Sequence, residues 1–243
     1  MSLKAFMENE TARLRKLIDE SGSVVFFGGA GSSTESGIPD FRSAGGIYSR
    51  SARYSPEEML SFSFFREHTE EFFAFYKEHM IYRDAKPHKG HYALAGLEKA
   101  GKLKAVVTQN IDGLHQMAGS RNVIELHGSV HRNYCTACGS FHSLGVILES
   151  GIPVCECGGL IKPDVVLYEE ALNGDTITSA ARHISRADLL IVGGTSLSVY
   201  PAAGLIDHYR GNRLVLINKS ETSFDGRACL LIRGSLGEVL GAL

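Results

Sequence analysis

Val24-Val25-Phe26-Phe27-Gly28-Gly29-Ala30-Gly31-Ser32-Ser33-Thr34-Glu35-Ser36-Gly37 passes from an unbroken apolar run into glycines and hydroxyl side chains, and Ile38-Pro39-Asp40-Phe41-Arg42 follows. Apolar residues without alternation predict a strand buried on both faces, as in a parallel sheet covered by helices. Glycines after such a strand carry no Cβ, so their backbone N–H groups can approach a phosphate closely. The string suits a nucleotide pyrophosphate at the first strand-to-helix turn, although a tight turn with no ligand uses the same Gly-Ala-Gly.

Similar apolar runs recur at 104–108, 123–126, 188–193 and 213–217, with helical candidates between them at 88–100, 112–118 and 174–186. This alternation predicts an α/β fold on a doubly wound parallel sheet. Ahead of the first strand, residues 4–20 place Phe6, Leu14, Leu17 and Ile18 at helical spacing, and Gly22 separates that helix from the strand. Two segments interrupt the pattern. In 43–87, Ser55-Pro56-Glu57-Glu58 reads as a capped helix start with proline in the first turn, ahead of an aromatic helix through Phe72, Phe73, Phe75 and Tyr76. The other, 129–162, carries four of the five cysteines. Both are expected beside the carboxyl edge of the sheet, where open α/β folds bind ligands.

The 243 residues are 44% hydrophobic, enough for a substantial core. With 25 Lys and Arg against 27 Asp and Glu, charge gives no case for nucleic acid or an acidic membrane surface as partner. No apolar run approaches the ~20 residues that span a bilayer, and the first helix lacks a signal-peptide apolar region. The expectation is a cytoplasmic monomer.

Cys135-x2-Cys138 and Cys155-x-Cys157 suit a metal site in a reducing compartment better than a disulfide framework. Two tight knuckles, with Gly139 and Gly158-Gly159 supplying permissive backbone, can present four thiolates tetrahedrally to a structural zinc that has no position open for catalysis. The second pair has one intervening residue where two are common, so His131 and His142 stand as nearby substitute ligands, and disulfides or free thiols remain the alternative. Cys229, in an apolar run, is expected in the core.

Four loops after strands carry polar groups. His127, in Glu125-Leu126-His127-Gly128, is either a structural hydrogen-bonder or a general base at the cleft. Thr108-Gln109-Asn110-Ile111-Asp112-Gly113 suits sugar hydroxyls and a carboxamide, or a helix N-cap by Asn110 or Asp112. Gly193-Gly194-Thr195-Ser196 and Asn218 stand where phosphate or ribose contacts arise, or are ordinary α/β loops.

Together these strings resemble the sirtuin family of NAD-dependent protein deacylases, in its bacterial and archaeal form. The motifs are Gly-Ala-Gly-x-Ser at 29–33, Gly-Ile-Pro-Asp-Phe-Arg at 37–42, Thr-Gln-Asn-Ile-Asp at 108–112, Leu-His-Gly at 126–128, the cysteine cluster, the Lys-Pro-Asp-Val-Val-Leu run at 162–167 and Gly-Thr-Ser-Leu at 194–197. The resemblance implies a Rossmann-like NAD-binding domain of 1–42, 88–128 and 163–243. A small domain of 43–87 and 129–162 would join a helical insertion to a zinc ribbon.

By similarity, Ala30, Thr34, Phe41 and Arg42 contact NAD⁺, with Phe41 shielding the nicotinamide–ribose bond. Gln109 holds the ribose, Ile111 and Asp112 line the nicotinamide pocket, and Thr195, Ser196, Asn218 and the backbone near Ile232 hold the phosphate and adenosine end. Val165 and Leu167 pair with an acyl-lysine peptide as a β-strand. In that family's mechanism the acyl oxygen attacks the ribose carbon as nicotinamide leaves. The histidine, here His127, takes a proton from a ribose hydroxyl, and water completes release of lysine and O-acyl-ADP-ribose.

One departure is Tyr168-Glu169-Glu170, where many members have Phe-Gly-Glu. Members that remove succinyl-type groups carry Tyr-x-x-Arg along the acyl pocket; here Tyr76-Lys77-Glu78-His79 keeps the tyrosine and lacks the arginine, and Tyr82-Arg83 is adjacent rather than spaced. An apolar pocket for acetyl or longer aliphatic groups is expected. Competing readings are a mono-ADP-ribosyltransferase on the same site and an NAD or ADP-ribose binding module. A hydride-transferring dehydrogenase fits less well, because Thr34 falls where the third glycine of Gly-x-Gly-x-x-Gly belongs.

Overall fold

A computed structural model describes residues 3–40 and 53–243. After helix α1 (Leu3–Asp19), strand β1 (Val24–Gly28) lies buried along its whole length between β2 (Leu103–Thr108) and β7 (Leu189–Gly193), parallel to both. With β3 (Val123–Glu125), β8 (Leu214–Ile217) and β9 (Leu230–Ile232) the sheet has six strands in the order β3-β2-β1-β7-β8-β9, all parallel. Numbered within this sheet alone, that is the dinucleotide-binding order 3-2-1-4-5-6, whose reversal point lies between β1 and β7.

The unbroken apolar runs have a direct cause. Val25 and Phe27 enter one core with Ala180 and Ile184 of helix α8 (Gly174–Ser185), while Val24 and Phe26 enter another with Leu14, Leu94 of helix α5 (Lys89–Lys99) and Leu236 of helix α9 (Leu236–Leu240). Each of the Val, Leu, Ile and Phe side chains among these contributes about 1.5–3 kcal/mol by leaving water, so a polar residue on either face would be costly.

The interrupting segments meet in a third core. Helices α2 (Pro56–Met59), α3 (Phe62–Glu67) and α4 (Thr69–His79) bring Phe64, Phe65, Phe72 and Tyr76 against Val130, Ile147, Ile161 and Leu167. The latter group comes from β4 (Gly128–Cys135), α7 (Leu144–Leu148), β6 (Ile161–Val165) and the residues just beyond it. A small antiparallel sheet, β5-β4-β6, includes β5 (Phe141–Ser143). Ser55 caps α2 through Glu58 N–H with Pro56 in the first turn, as its sequence predicts. Strand β6 straddles the expected boundary at 162–163.

Three local expectations change. The helix expected at 112–118 is only α6 (Leu114–Met117), because Gly113 (φ 73°) and Gly119 (φ 104°) bracket it in left-handed conformations. The three-residue β9 was not evident in the sequence. Cys229 is exposed rather than in the core: its N–H joins Leu214 C=O as this edge strand begins, and alternation turns Leu230 inward and Cys229 outward.

Candidate active site

The turns after β1 and β7 pack against each other at the strand-order reversal. Gly31 N–H donates to Gly194 C=O at 2.8 Å. A Cβ on Gly31 would stand 2.8 Å from that oxygen, and one on Gly194 (φ +61°) would stand 2.3 Å from Ser32 N, so neither position tolerates a side chain. Above them opens a cavity of about 1050 Å³. Its walls include Ala30, Thr34, Gln109, Ile111, Asp112, His127, Val165, Leu167, Thr195, Ser196 and Asn218, so residues expected from six separate segments converge here. Ile232 does not reach it: the residue is fully buried and its C=O accepts Asn218 N–H at 3.1 Å, while Gly234, Ser235 and Leu236 line that end. Phe41 and Arg42 lie outside the described residues.

A hydrogen-bond network fixes the loops. Asn110 Nδ2 donates to Ser32 Oγ at 3.1 Å and Ser33 Oγ at 2.9 Å, and Ser33 Oγ donates to Asp112 Oδ2 at 2.6 Å. Asp112 Oδ1 accepts Leu114 N–H at 2.9 Å, so the carboxylate ties down the first residue of α6 as well as facing the cleft, although the cap position itself is Gly113. Burial pushes the Asp112 carboxyl up from its ordinary value, and the bonds from Ser33 and Leu114 oppose that rise. Gln109 Nε2 donates to Thr195 Oγ1 at 3.1 Å. Asn218 grips the Thr195 backbone with both amide atoms, accepting its N–H at 3.1 Å and donating to its C=O at 2.7 Å. Gln109 and Asn218, expected on ribose, thus also clamp the β7 turn.

His127 Nδ1 lies 2.9 Å from Gln109 C=O. A carbonyl only accepts, so Nδ1 carries the proton and Nε2 keeps its lone pair. Burial pushes this imidazole below its ordinary 6.5, against the raising effect of the Gln109 contact, so it is neutral at pH 7. Gly128 (φ +77°) follows because a Cβ there would stand 1.8 Å from Asp164 C=O. Val166 N–H donates to His127 C=O at 3.0 Å, joining the histidine to the groove segment. In that segment Leu167 N–H goes to Glu170 Oε2 at 2.8 Å, and Val165 C=O accepts Lys162 Nζ at 3.0 Å, so these peptide groups already have partners. Arg132 adds a tie, reaching Glu125 Oε2 at 2.6 Å and Asp164 Oδ2 at 2.8 Å.

The acyl-pocket expectation changes. Tyr76 is fully buried, stacked on Phe72 at 5.6 Å, and does not line the cleft; burial drives its phenol pKa upward. His79 does line it, and so do Tyr82 and Arg83, because α4 ends at His79 and the chain then turns along the wall. Adjacency in sequence misled there, since beyond a helix end the spacing no longer gives the facing.

The cysteines converge as their pairing predicts. All four Sγ atoms lie within 4.8 Å of one another, with Cys135–Cys157 at 3.5 Å and Cys138–Cys155 at 3.8 Å. Tetrahedral zinc with ~2.3 Å bonds needs sulfurs ~3.8 Å apart, whereas a disulfide needs ~2.05 Å, so the donor set fits zinc. A Cβ on Gly159 would stand 2.6 Å from Cys135 Sγ, which keeps that knuckle free of a side chain. His131 belongs elsewhere, with Nε2 3.0 Å from Asp112 C=O, and among the described residues neither it nor His142 joins the cluster.

The Sir2 family model matches residues 29–201, from the glycine loop through the turn beyond β7. The chain belongs to the Sir2 family. This Sir2 protein is 61% identical over 235 residues to a NAD-dependent protein deacetylase of Clostridium tetani (strain Massachusetts / E88), covering 95% of each chain. It is 59% identical over 240 residues to one of Clostridium perfringens (strain 13 / Type A), covering 97% of this chain and 98% of that one. Among solved structures, a Sir2 enzyme with a deacetylated peptide and 3′-O-acetyl ADP-ribose matches at TM-score 0.85 and 42% identity, over 99% of this chain and 96% of that one. Another, with a peptide and NAD⁺, matches at TM-score 0.82 and 43% identity, over 94% of each.

Proposed function

We propose that this Sir2 protein removes acetyl groups, and longer aliphatic acyl groups where the cleft admits them, from protein lysines at the expense of NAD⁺. Acyl-lysine, NAD⁺ and water become lysine, nicotinamide and O-acyl-ADP-ribose. The observation that carries this reading is the neutral His127, with its Nε2 lone pair free, in the same cleft as the pinned glycine loop. NAD⁺, when bound, supplies an activated ribose carbon with nicotinamide as leaving group.

His127 acts as general base toward a ribose hydroxyl, its ring oriented by Gln109. Ser33, Asn110 and Leu114 hold the Asp112 carboxylate at the site expected to receive a carboxamide. Ala30, Thr34, Thr195, Ser196 and Asn218 line the dinucleotide's path, and the acyl-lysine peptide lies against the 165–168 segment. Phe41 and Arg42 complete the cofactor contacts. Zinc on Cys135, Cys138, Cys155 and Cys157 is structural. The large NAD-binding unit is 1–42, 88–128 and 163–243, with the small unit of 43–87 and 129–162 beside it. We read the enzyme as a cytoplasmic monomer, and its near-neutral net charge of −2 supports a reading without nucleic acid as partner. No helix among the described residues is long and apolar enough to cross a membrane.

Mass spectrometry of the protein with an acetyl-lysine peptide tests this, with and without NAD⁺. Nicotinamide and O-acetyl-ADP-ribose are expected only when both are present, and His127→Ala should lower the rate about 10²–10⁴-fold while retaining NAD⁺ binding. Nicotinamide without deacetylated peptide would instead favour ADP-ribosyl transfer.

A further inference from the structure

Glu35 joins two walls of the cleft that lie 200 residues apart in the chain. Its Oε2 accepts Gly237 N–H at 2.6 Å, and its Oε1 lies 3.0 Å from Ser235 Oγ, whose single proton it shares with Glu238 Oε2 at 2.9 Å. Thr34, beside it, lines the glycine-loop wall, while Ser235 and Leu236 line the far end near Asn218. A Cβ on Gly237 would stand 2.6 and 2.8 Å from the two carboxylate oxygens and 2.8 Å from His88 Nδ1, so a glycine is what lets the carboxylate reach this backbone.

The same turn is held from a second element. His88 Nε2 lies 2.6 Å from Ser32 C=O, and Gly90 N–H donates to His88 Nδ1 at 3.0 Å, which places the ring proton on Nε2. Residues 32–35 are therefore fastened to α5 by His88 and to α9 by Glu35. Glu35 itself is not part of the cleft lining, so its carboxylate acts on the walls and not on what lies between them.

We propose that Glu35 is a positioning residue for NAD⁺, setting the separation of the glycine-loop and Ser235–Gly237 walls before the dinucleotide arrives. This rests on the NAD⁺-dependent reading above. Walls fixed in advance spare the ligand the entropy of ordering them, so losing the tether weakens dinucleotide binding without altering the chemical step.

The test is steady-state kinetics of Glu35→Ala and Glu35→Gln, with ADP-ribose titration calorimetry in the absence of peptide. The alanine variant loses both acceptors, so its KM for NAD⁺ should rise about fivefold or more, with KM for peptide and kcat at saturation within about twofold of wild type. Glutamine retains one acceptor for Gly237 N–H, so it should fall between wild type and alanine, and ADP-ribose affinity should follow the same order. An unchanged NAD⁺ KM in Glu35→Ala, equal rises in both KM values, or identical behaviour of the two variants would overturn the proposal. Wild-type protein that binds ADP-ribose but releases no nicotinamide with acetyl peptide would refute the deacetylase reading, and the titration would still decide the tether.

Discussion

At the scale of single residues, His127 shows how burial and one carbonyl prepare a base. The Gln109 contact selects the tautomer and the enclosure keeps the ring neutral. Because burial lowers its pKa below 6.5, the base form persists as pH falls through that value, and the acid limb of deacetylation should centre below 6.5 in initial-rate profiles. A limb centred above 6.5 would contradict the burial argument. His127 and the cysteines were legible in sequence because each follows a local rule, a polar residue at a strand end or a knuckle spacing. The clamps made by Asn218, Arg132 and Glu35 were not, since their partners are distant in the chain and nothing local announces them.

Among the elements, the strands were the most readable, because burial on both faces forces unbroken apolar runs such as Val24–Gly28. Strand β9, three residues at a sheet edge, lacks that pressure, and the reach of the chain beyond α4 into the cleft depends on where a helix stops. The knuckles are elements too, and the four sulfurs that tie them together lie within 4.8 Å of one another. Chelation should therefore remove hydrogen-exchange protection from amides at 135–161 while β1 and β7 keep theirs. Protection that survives chelation would show that no metal holds this module.

For the whole molecule, the doubly wound arrangement followed from alternating strands and helices, whereas the joining of both interruptions into one core did not. Beneath the glycine loop the rings of His88, His91 and His115 meet edge to face, with centroids 4.2 and 4.7 Å apart. Burial pushes His91 down to about 2 and His115 to about 4 from 6.5, and the neighbouring histidines add to both shifts. The unfolded chain thus binds more protons below pH 6.5, so this contribution is fully present above that pH and lost as pH falls toward 4. For His115 alone the loss is on the order of 3 kcal/mol. Calorimetry should show the unfolding midpoint dropping by on the order of 10 °C between neutral pH and pH ~4, less steeply in His115→Asn. The third core has a consequence for biosynthesis. Phe64, Phe65, Phe72 and Phe73 leave the ribosome well before Val130, Ile147 and Ile161 exist to cover them. At about 5–20 residues per second this nascent aromatic surface stays uncovered for several seconds, long enough to engage a chaperone during translation.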